Sequence, residues 1–242
     1  MKLLLVAIML AQSAALAPAR IRNRTLTMPE VGTITYGIST PGDVSPVDAS
    51  PRDVSTAKPR PLVVALHPGG ERVPNYGSRF MAQVVAPALK DLGAIIVAPD
   101  CPTRSWGDAV SDRAVMAVID AVRQEYAIDA RRILVTGFSM GGRGTWFMVS
   151  HHADLFTAAI PMAASVGDEP VDRLGLIPTY IIHSVDDQVV PFGPAEQNAR
   201  QLESLGRTVR FEVLRGLGHY EMGGYVESLR RASRWVSERW GK

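Results

Sequence analysis

Short apolar runs alternate with amphipathic stretches along most of the chain. Residues 61–66 and 94–98 are continuously apolar, as buried parallel strands are. Residues 112–126 repeat apolar side chains every three or four positions, which predicts a helix with one buried face. This repeated alternation of strand and helix predicts an α/β fold: a doubly wound, mostly parallel sheet with helices on both faces.

The same pattern predicts the remaining elements. Further strands are expected at 33–38, 133–136, 158–160, 179–182 and 208–214. Further helices are expected at 80–92, from about Gly141, at 194–205 and at 226–240. Residues 39–60, with four prolines, predict a mobile surface loop, and no insertion is long enough to form a cap domain. We therefore expect a single domain over residues 20–242.

Residues 1–19 differ from the rest of the chain. Lys2 precedes an apolar run over residues 3–11, and small residues follow, which is the layout of a secretory signal peptide. The apolar run is shorter than the roughly 20 residues that span a bilayer. Cleavage is expected after Ala17 or Ala19, and the second is favoured because a cut after Ala17 would leave Pro18 beside the protease. The mature protein is then secreted or periplasmic, without a membrane anchor.

Composition narrows the classes of function. Of the 242 residues, 46% are hydrophobic and 21% are charged, which is typical of a compact globular protein and not of a disordered one. There are 26 Lys and Arg residues against 24 Asp and Glu, so the basic surplus that a nucleic-acid partner requires is missing. Cys101 is the only cysteine, which excludes an intrachain disulfide and a metal site built from several cysteines.

One motif indicates nucleophilic chemistry. Residues 137–141 read Gly-Phe-Ser-Met-Gly, which matches G-x-S-x-G between a predicted strand and a predicted helix. A serine on such a sharp turn needs neighbours without side chains, and its hydroxyl then projects above the sheet. The backbone N–H of Met140 and the positive end of the helix point into the same space. We therefore predict that Ser139 is a nucleophile.

A serine nucleophile needs a base, and with this type of turn the chain order is serine, acid, histidine. His219 follows Ser139 in the chain and lies in a glycine-rich loop after the last predicted strand. His151 and His152 stand at the end of a predicted helix, where exposed or capping roles are expected. His183 stands at a strand end and is expected to pack or bond locally. His219 is therefore the predicted base.

Three aspartates qualify as the acid that orients this base. Asp186 and Asp187 follow the strand at 179–182, and Asp168 follows the strand before it. All three lie at the carboxyl ends of strands, the edge of the sheet at which Ser139 is expected. The residue pattern leaves the choice open, because aspartate is also common in turns and helix caps.

The loop after the strand at 61–66 offers a second donor for an oxyanion. Pro68 has no N–H, so the donor must be Gly69 or Gly70. His67 and Trp106 follow neighbouring strands, and together with Gly70 they are candidates for a substrate pocket. Loops at 39–60, 101–111 and 165–175 are expected to shape that pocket.

Taken together, these segments resemble the α/β-hydrolase superfamily, in particular a group of secreted serine esterases. This group includes feruloyl esterases, polyhydroxybutyrate depolymerases and hydrolases described as predicted peptidases. The resemblance is carried by the serine turn, the oxyanion loop, the segment after the strand at 94–98, the acid loop and the histidine loop: residues 137–146, 66–71, 98–106, 183–191 and 218–219. Pro68 and Ser184 depart from it, since both stand where a glycine is usual.

The resemblance implies a capless α/β-hydrolase fold and ester hydrolysis through an acyl-enzyme, with no cofactor and no metal. It implies that Asp187, rather than Asp186, completes the triad with Ser139 and His219. Met140 and Gly69 would form the oxyanion hole, with Gly69 favoured over Gly70. The implied partner is a small-molecule or polymer-linked ester, whereas no oligomeric state is predicted.

Two other functions fit the same residues. A serine peptidase of the prolyl-oligopeptidase type would use the same triad on amides instead of esters. A hydrolase-like binding domain without catalysis would keep the fold, but it would have no need for serine, acid and histidine in this order.

Overall fold

The computed structural model describes residues 20–29, 31–42, 44, 57–174 and 176–241. The predicted signal peptide at 1–19 lies outside the described residues, as do residues 45–56 of the predicted loop at 39–60.

An eight-stranded sheet forms the centre of the molecule, in the order β1-β2-β4-β3-β5-β6-β7-β8. Strand β2 pairs antiparallel with β1 and with β4, and every other neighbouring pair is parallel. This arrangement confirms the predicted, mostly parallel sheet. The strands are β1 (Arg20–Met28), β2 (Gly32–Thr40), β3 (Arg60–Leu66), β4 (Ile95–Pro99), β5 (Ile128–Phe138), β6 (Ala158–Met162), β7 (Thr179–Ser184) and β8 (Val209–Leu214).

Five helical elements accompany the sheet in the described ranges. The first, α1, consists of consecutive α, π and α segments at Tyr76–Phe80, Met81–Val85 and Ala86–Leu89, and a 3-10 turn at Lys90–Leu92 follows it. The others are α2 (Ala109–Glu125), α3 (Met140–His151), α4 (Phe192–Ser204) and α5 (Val226–Trp240). Further 3-10 turns occur at Val171–Arg173 and Met222–Tyr225. None of the described helices is both long and apolar enough to cross a bilayer.

Helices cover both faces of the sheet, as the sequence predicts. On β3, Leu62, Val64 and Leu66 belong to a buried cluster that includes residues of α2, α3 and α4. Val63 and Ala65 point the other way, into a second cluster with residues of α1 and α5. Successive strand residues thus supply two cores, which explains why this strand is apolar without interruption.

Strand β1 has no counterpart in the sequence prediction. It pairs only with β2 at the edge of the sheet, and its residues are exposed or half-buried. An edge strand with little burial needs no apolar run, so its polar sequence carries no strand signal. Its position is fixed by backbone pairing, from Arg20 opposite Thr40 to Met28 opposite Gly32.

Helix α1 begins four residues before the predicted start at Phe80. The carboxylate of Asp100 accepts the backbone N–H groups of Asn75 and Gly77, at 2.8 Å each. Asp100 follows β4, so a contact between distant parts of the chain determines where the helix starts. Local periodicity does not contain that information.

Three glycines let α3 begin close against the sheet. A Cβ on Gly137 would overlap the carbonyl oxygen of Gly141, and a Cβ on Gly141 would overlap that of Leu66. A Cβ on Gly142 would overlap the carbonyl oxygen of Met162. All three obstacles are backbone atoms, which cannot rotate aside. The turn between β5 and α3 is therefore packed against β3 and β6 through backbone contacts.

The variant Gly141→Ala tests this packing. We expect the free energy of unfolding to fall by about 3 kcal/mol, because the new methyl group meets the backbone of β3. Gly193→Ala in α4 is the matched control, since its Cβ would meet no atom within 4 Å. We expect the control to gain about 0.5 kcal/mol. Urea denaturation measures both values, and equal stability of the two variants would contradict the packing.

Candidate active site

Ser139 stands between β5 and α3 in a strained conformation. Its φ of 55° and ψ of −115° lie in a region of backbone conformation that residues other than glycine rarely adopt. Its N–H donates to the carbonyl oxygen of Met162 at 2.9 Å, which holds the turn against β6. Strain of this kind costs about 1–3 kcal/mol and is concentrated at functional sites.

His219, in the loop after β8, lies between Ser139 and an aspartate. Its Nε2 is 2.9 Å from Ser139 Oγ, and its Nδ1 is 2.7 Å from Asp187 Oδ2. The carboxylate accepts a hydrogen bond from Nδ1–H, so the ring proton is on Nδ1 and Nε2 is left as an acceptor for the serine hydroxyl. The imidazole is buried and packs against the ring of Phe138, with centroids 5.1 Å apart. This arrangement can remove a proton from the serine.

Asp187 is held in its ionised form. Burial raises the pKa of this carboxyl group, but hydrogen bonds from His219, Val190 and Val189 lower it by more, so the pKa lies below its usual range. The two backbone N–H groups donate to Oδ1 at 2.8 and 2.9 Å, while Oδ2 remains for His219. The carboxylate can therefore keep the imidazole in one tautomer and stabilise its cation.

The other two candidate acids lie elsewhere. Asp186 is exposed, and its Oδ2 accepts the N–H of Gly216 at 2.6 Å. Asp168 is exposed in the connection between β6 and β7. Of the three aspartates considered from the sequence, Asp187 is the one that the structure brings to His219.

Two residues that the sequence analysis did not single out hold the histidine loop. The Oε1 of Gln188 accepts the N–H of His219 at 3.2 Å, and the Oε2 of Glu221 accepts the N–H of Gly218 at 2.6 Å. With Asp186 and Asp187, three consecutive side chains of the acid loop reach the histidine loop. Acceptors beside a glycine-rich loop are the available sequence signal, but only the folded chain shows which N–H each one meets.

His183, in β7, lies next to Asp187. It is fully buried, and its Nε2 donates to the carbonyl oxygen of Val190 at 3.0 Å and lies 3.7 Å from Asp187 Oδ2. Burial lowers the pKa of His183, so the ring is neutral. The neighbouring Val190 thus receives a hydrogen bond from His183 and donates one to Asp187, which connects β7 to the acid.

The two candidate oxyanion donors lie side by side. A Cβ on Gly69 would lie 3.5 Å from the Cβ of Met140, so the loop after β3 is in van der Waals reach of the first residue of α3. Neither backbone N–H donates a hydrogen bond to any described residue. Gly70 has a φ of 136°, which only glycine adopts without strain. Two neighbouring unpaired N–H groups, one of them at the start of α3, suit a developing negative charge.

His67 connects two loops of the site. Its Nε2 accepts the N–H of Cys101 at 2.9 Å, so the ring proton is on Nδ1, which donates to the carbonyl oxygen of Pro68 at 2.7 Å. Burial lowers the pKa of His67 and favours this neutral form. The ring lies 4.4 Å from that of Tyr76. His67 borders the larger of the two cavities at the site, but both of its nitrogens are engaged within the protein.

The prediction that Trp106 lines the substrate pocket is wrong. Its side chain is 1% exposed and borders neither cavity of the site. Its indole N–H donates to the carbonyl oxygen of His67 at 2.9 Å, and the ring packs closely against Gly144. The large apolar ring is more stable in the core, where it anchors the loop after β4 to the loop after β3.

Two adjoining cavities open beside these residues. A cavity of about 300 Å³ contains the serine and the histidine, and it is lined by Pro68, Gly69, Gly70, Tyr76, Phe138, Ser139, Val189, His219, Tyr220 and Met222. A cavity of about 490 Å³ shares Pro68, Gly69, Gly70 and Tyr76 with it and is also lined by residues 101–104 and Met140. The predicted loop at 101–111 thus shapes the site, whereas no described residue of 165–175 lines either cavity. No group of three or more His, Cys, Asp or Glu side chains within the described ranges could hold a metal ion.

Comparisons with known proteins find similarity to hydrolases in sequence and in fold. A model of the prolyl oligopeptidase family matches residues 103–168. A crystal structure described as a thermostable esterase superposes with a TM-score of 0.70 and is 31% identical, covering 90% of this chain and 62% of its own. The chain has the α/β-hydrolase fold.

Curated sequence relatives of this α/β-hydrolase are described as esterases. A probable feruloyl esterase C of Aspergillus terreus is 32% identical over 106 residues, which are 40% of this chain and 37% of the relative. A bifunctional acetylxylan esterase/xylanase of Neocallimastix patriciarum is 29% identical over 147 residues, which are 56% of this chain and 20% of the relative. The hydrolase thus spans well under half the length of these curated relatives.

The buried His67 makes the stability of the hydrolase depend on pH. Because burial lowers its pKa below the ordinary 6.5, protonation is less favourable in the folded than in the unfolded state. The stabilisation is complete above about pH 6.5 and is lost as the pH falls towards the folded pKa. In His67→Gln, the amide oxygen can still accept the Cys101 N–H but does not titrate. We therefore expect a smaller loss of stability between pH 7.5 and 5.5 than in the wild type.

Urea denaturation at the two pH values measures this difference. His151→Gln, whose imidazole is 42% exposed, is the matched control and should keep the wild-type dependence. An unchanged pH dependence in His67→Gln would show that the imidazole titrates in the folded protein as it does in the unfolded chain.

Proposed function

We propose that this hydrolase cleaves carboxylic esters through an acyl-enzyme intermediate. The observation that carries the proposal is the hydrogen-bonded chain from Ser139 through His219 to Asp187, with distances of 2.9 and 2.7 Å. This series of hydrogen bonds starts at a strained serine and ends at an ionised carboxylate. An idle serine in a turn, or a domain that only binds, would gain nothing from that arrangement.

In the first half of the proposed reaction, His219 Nε2 takes the hydroxyl proton as Ser139 Oγ attacks the ester carbonyl carbon. The carbonyl oxygen becomes an oxyanion, and the N–H groups of Met140 and Gly69 stabilise it. The imidazolium of His219 then donates this proton to the alcohol oxygen as the bond between that oxygen and the carbonyl carbon breaks. The alcohol leaves, and the acyl group remains on Ser139.

Water repeats the sequence in the second half. His219 takes a proton from water as the hydroxide equivalent attacks the acyl carbon, and the same proton then returns to Ser139 Oγ. The products are the carboxylic acid and the restored enzyme. Asp187 stabilises the imidazolium in both halves and stays ionised, in keeping with its lowered pKa.

The site supports a small-molecule or polymer-linked ester as the substrate. The two cavities adjoin at Gly69 and Gly70, so groups on either side of an ester bond have space. The names of the relatives refer to feruloyl and acetylxylan esters, which belong to this class. The signal-peptide pattern at 1–19 supports secretion or a periplasmic location, with residues 20–242 as a single catalytic domain.

A serine peptidase is the second candidate, because the prolyl oligopeptidase family model matches residues 103–168. The same triad would cleave an amide, whose nitrogen leaves less readily than an alcohol. A matched pair of substrates separates the two functions: an ester and an amide of the same acyl group. We expect turnover of the ester and none of the amide.

Replacement of the serine tests the proposal. In Ser139→Ala we expect kcat/KM for p-nitrophenyl butyrate to fall by about 10⁴-fold or more, since no nucleophile remains. Ser204→Ala, an exposed serine at the end of α4, should keep the wild-type value. Circular dichroism of both variants shows whether the fold is intact. Wild-type turnover by folded Ser139→Ala would exclude the proposed mechanism.

A further inference from the structure

Two exposed apolar side chains lie at the mouth of the site. Five large hydrophobic side chains are exposed among the described residues, and two of them, Val189 and Tyr220, line the cavity that contains Ser139. Tyr220 is 79% exposed and Val189 is 47% exposed. Single exposed apolar residues are ordinary, but two beside a nucleophile mark a surface that a ligand covers.

The proposed function determines which part of the substrate meets this surface. His219 must return its proton to the alcohol oxygen, so the leaving alcohol lies on the His219 side of the ester carbonyl. The oxyanion lies on the other side, at Met140 and Gly69. Tyr220 is the next residue after His219, and the two ring centroids are 5.7 Å apart. The surface therefore faces the leaving group and not the acyl group.

Hydrogen bonds hold the backbone on either side of Tyr220, whereas its side chain makes none with the described residues. Before it, the N–H of His219 is held by Gln188. After it, the N–H of Glu221 donates to the carbonyl oxygen of Gly218 at 3.2 Å. The Tyr220 hydroxyl, by contrast, bonds to no described residue. A largely exposed ring on a held backbone, with no hydrogen bond from its hydroxyl to the described residues, is available to a ligand.

The chemistry of the cavity indicates what the ring would bind. No Asp, Glu, Lys or Arg among the described residues lines this cavity. Its walls near Tyr220 are apolar, with Val189, Met222 and Phe138. A charged alcohol would lose its hydration there without a compensating partner. An uncharged ring with an apolar face would gain stacking on Tyr220.

We propose that Tyr220, with Val189, forms a leaving-group subsite that selects esters of ring-bearing, uncharged alcohols over esters of open-chain alcohols with the same acyl group. Tyr220 is thus a specificity-determining residue, and its role rests on the proposed ester hydrolysis. An aryl ring and a sugar ring share the required apolar face, and the test includes both.

The test compares alcohols of similar intrinsic reactivity on one acyl group. Benzyl butyrate, glucose 6-butyrate and ethyl butyrate are assayed by pH-stat with the wild type, Tyr220→Ala, Tyr220→Phe and Leu205→Ala. The last variant removes an exposed apolar side chain that lines neither cavity. The quantity measured is the ratio of kcat/KM for each ring-bearing ester to that for ethyl butyrate.

We expect Tyr220→Ala to lower this ratio by about 3- to 10-fold for at least one ring-bearing ester, mainly through KM. Tyr220→Phe and Leu205→Ala should keep the wild-type ratio. A loss confined to benzyl butyrate assigns the subsite to aryl rings, and a loss confined to glucose 6-butyrate assigns it to sugar rings. Both results support the proposal.

An unchanged ratio in Tyr220→Ala overturns the subsite, and so does an equal loss for all three esters, because the residue would then act on His219 and not on the ring. Wild-type turnover of ethyl butyrate separates this failure from a failure of the proposed function. If the wild type hydrolyses none of the three esters, the proposed ester hydrolysis fails and the subsite fails with it.

Discussion

The contact on which the rest of the site depends is the backbone-to-backbone approach of α3 to the sheet at Gly141. Only a glycine lets the start of this helix meet the carbonyl oxygen of Leu66 at the end of β3. The approach places Ser139 at a positive φ with its hydroxyl outside the turn, and it brings Met140 next to Gly69. The positions of the proposed nucleophile and of the proposed oxyanion donors thus follow from one packing constraint, and the strain at the serine is balanced by the close packing around it.

Parallel topology supplies the other half of the site. Strands β5, β7 and β8 end at the same edge of the sheet, which brings loops far apart in the chain within hydrogen-bonding distance. Polar contacts then fix those loops: the acid loop holds the histidine loop through Asp186, Asp187 and Gln188. On the opposite side, His67 holds the oxyanion loop to the loop after β4. The buried imidazole works as a neutral acceptor there, in keeping with the pKa that its burial lowers.

Much of this arrangement can be predicted from the sequence. Apolar runs identify the buried strands, and the glycine pattern around Ser139 identifies the turn, because both signals are local. The choice of Asp187 over Asp186 needs the register of the acid loop, which the family resemblance supplies and residue types do not. Features set by distant contacts cannot be predicted from the sequence. They are the edge strand β1, the start of α1, which Asp100 holds, and the burial of Trp106. An aromatic residue after a strand has the same sequence signature whether it lines a pocket or anchors a loop.

The proposed mechanism requires that Ser139 be the activated nucleophile of this site. Its most direct test is to treat the folded wild type with a fluorophosphonate probe, digest the protein and locate the adduct by mass spectrometry. We expect one adduct per chain, on Ser139, formed far more slowly in His219→Gln because Nε2 is then missing. An adduct on another serine, or equal labelling of Ser139 in the absence of the imidazole, would contradict it.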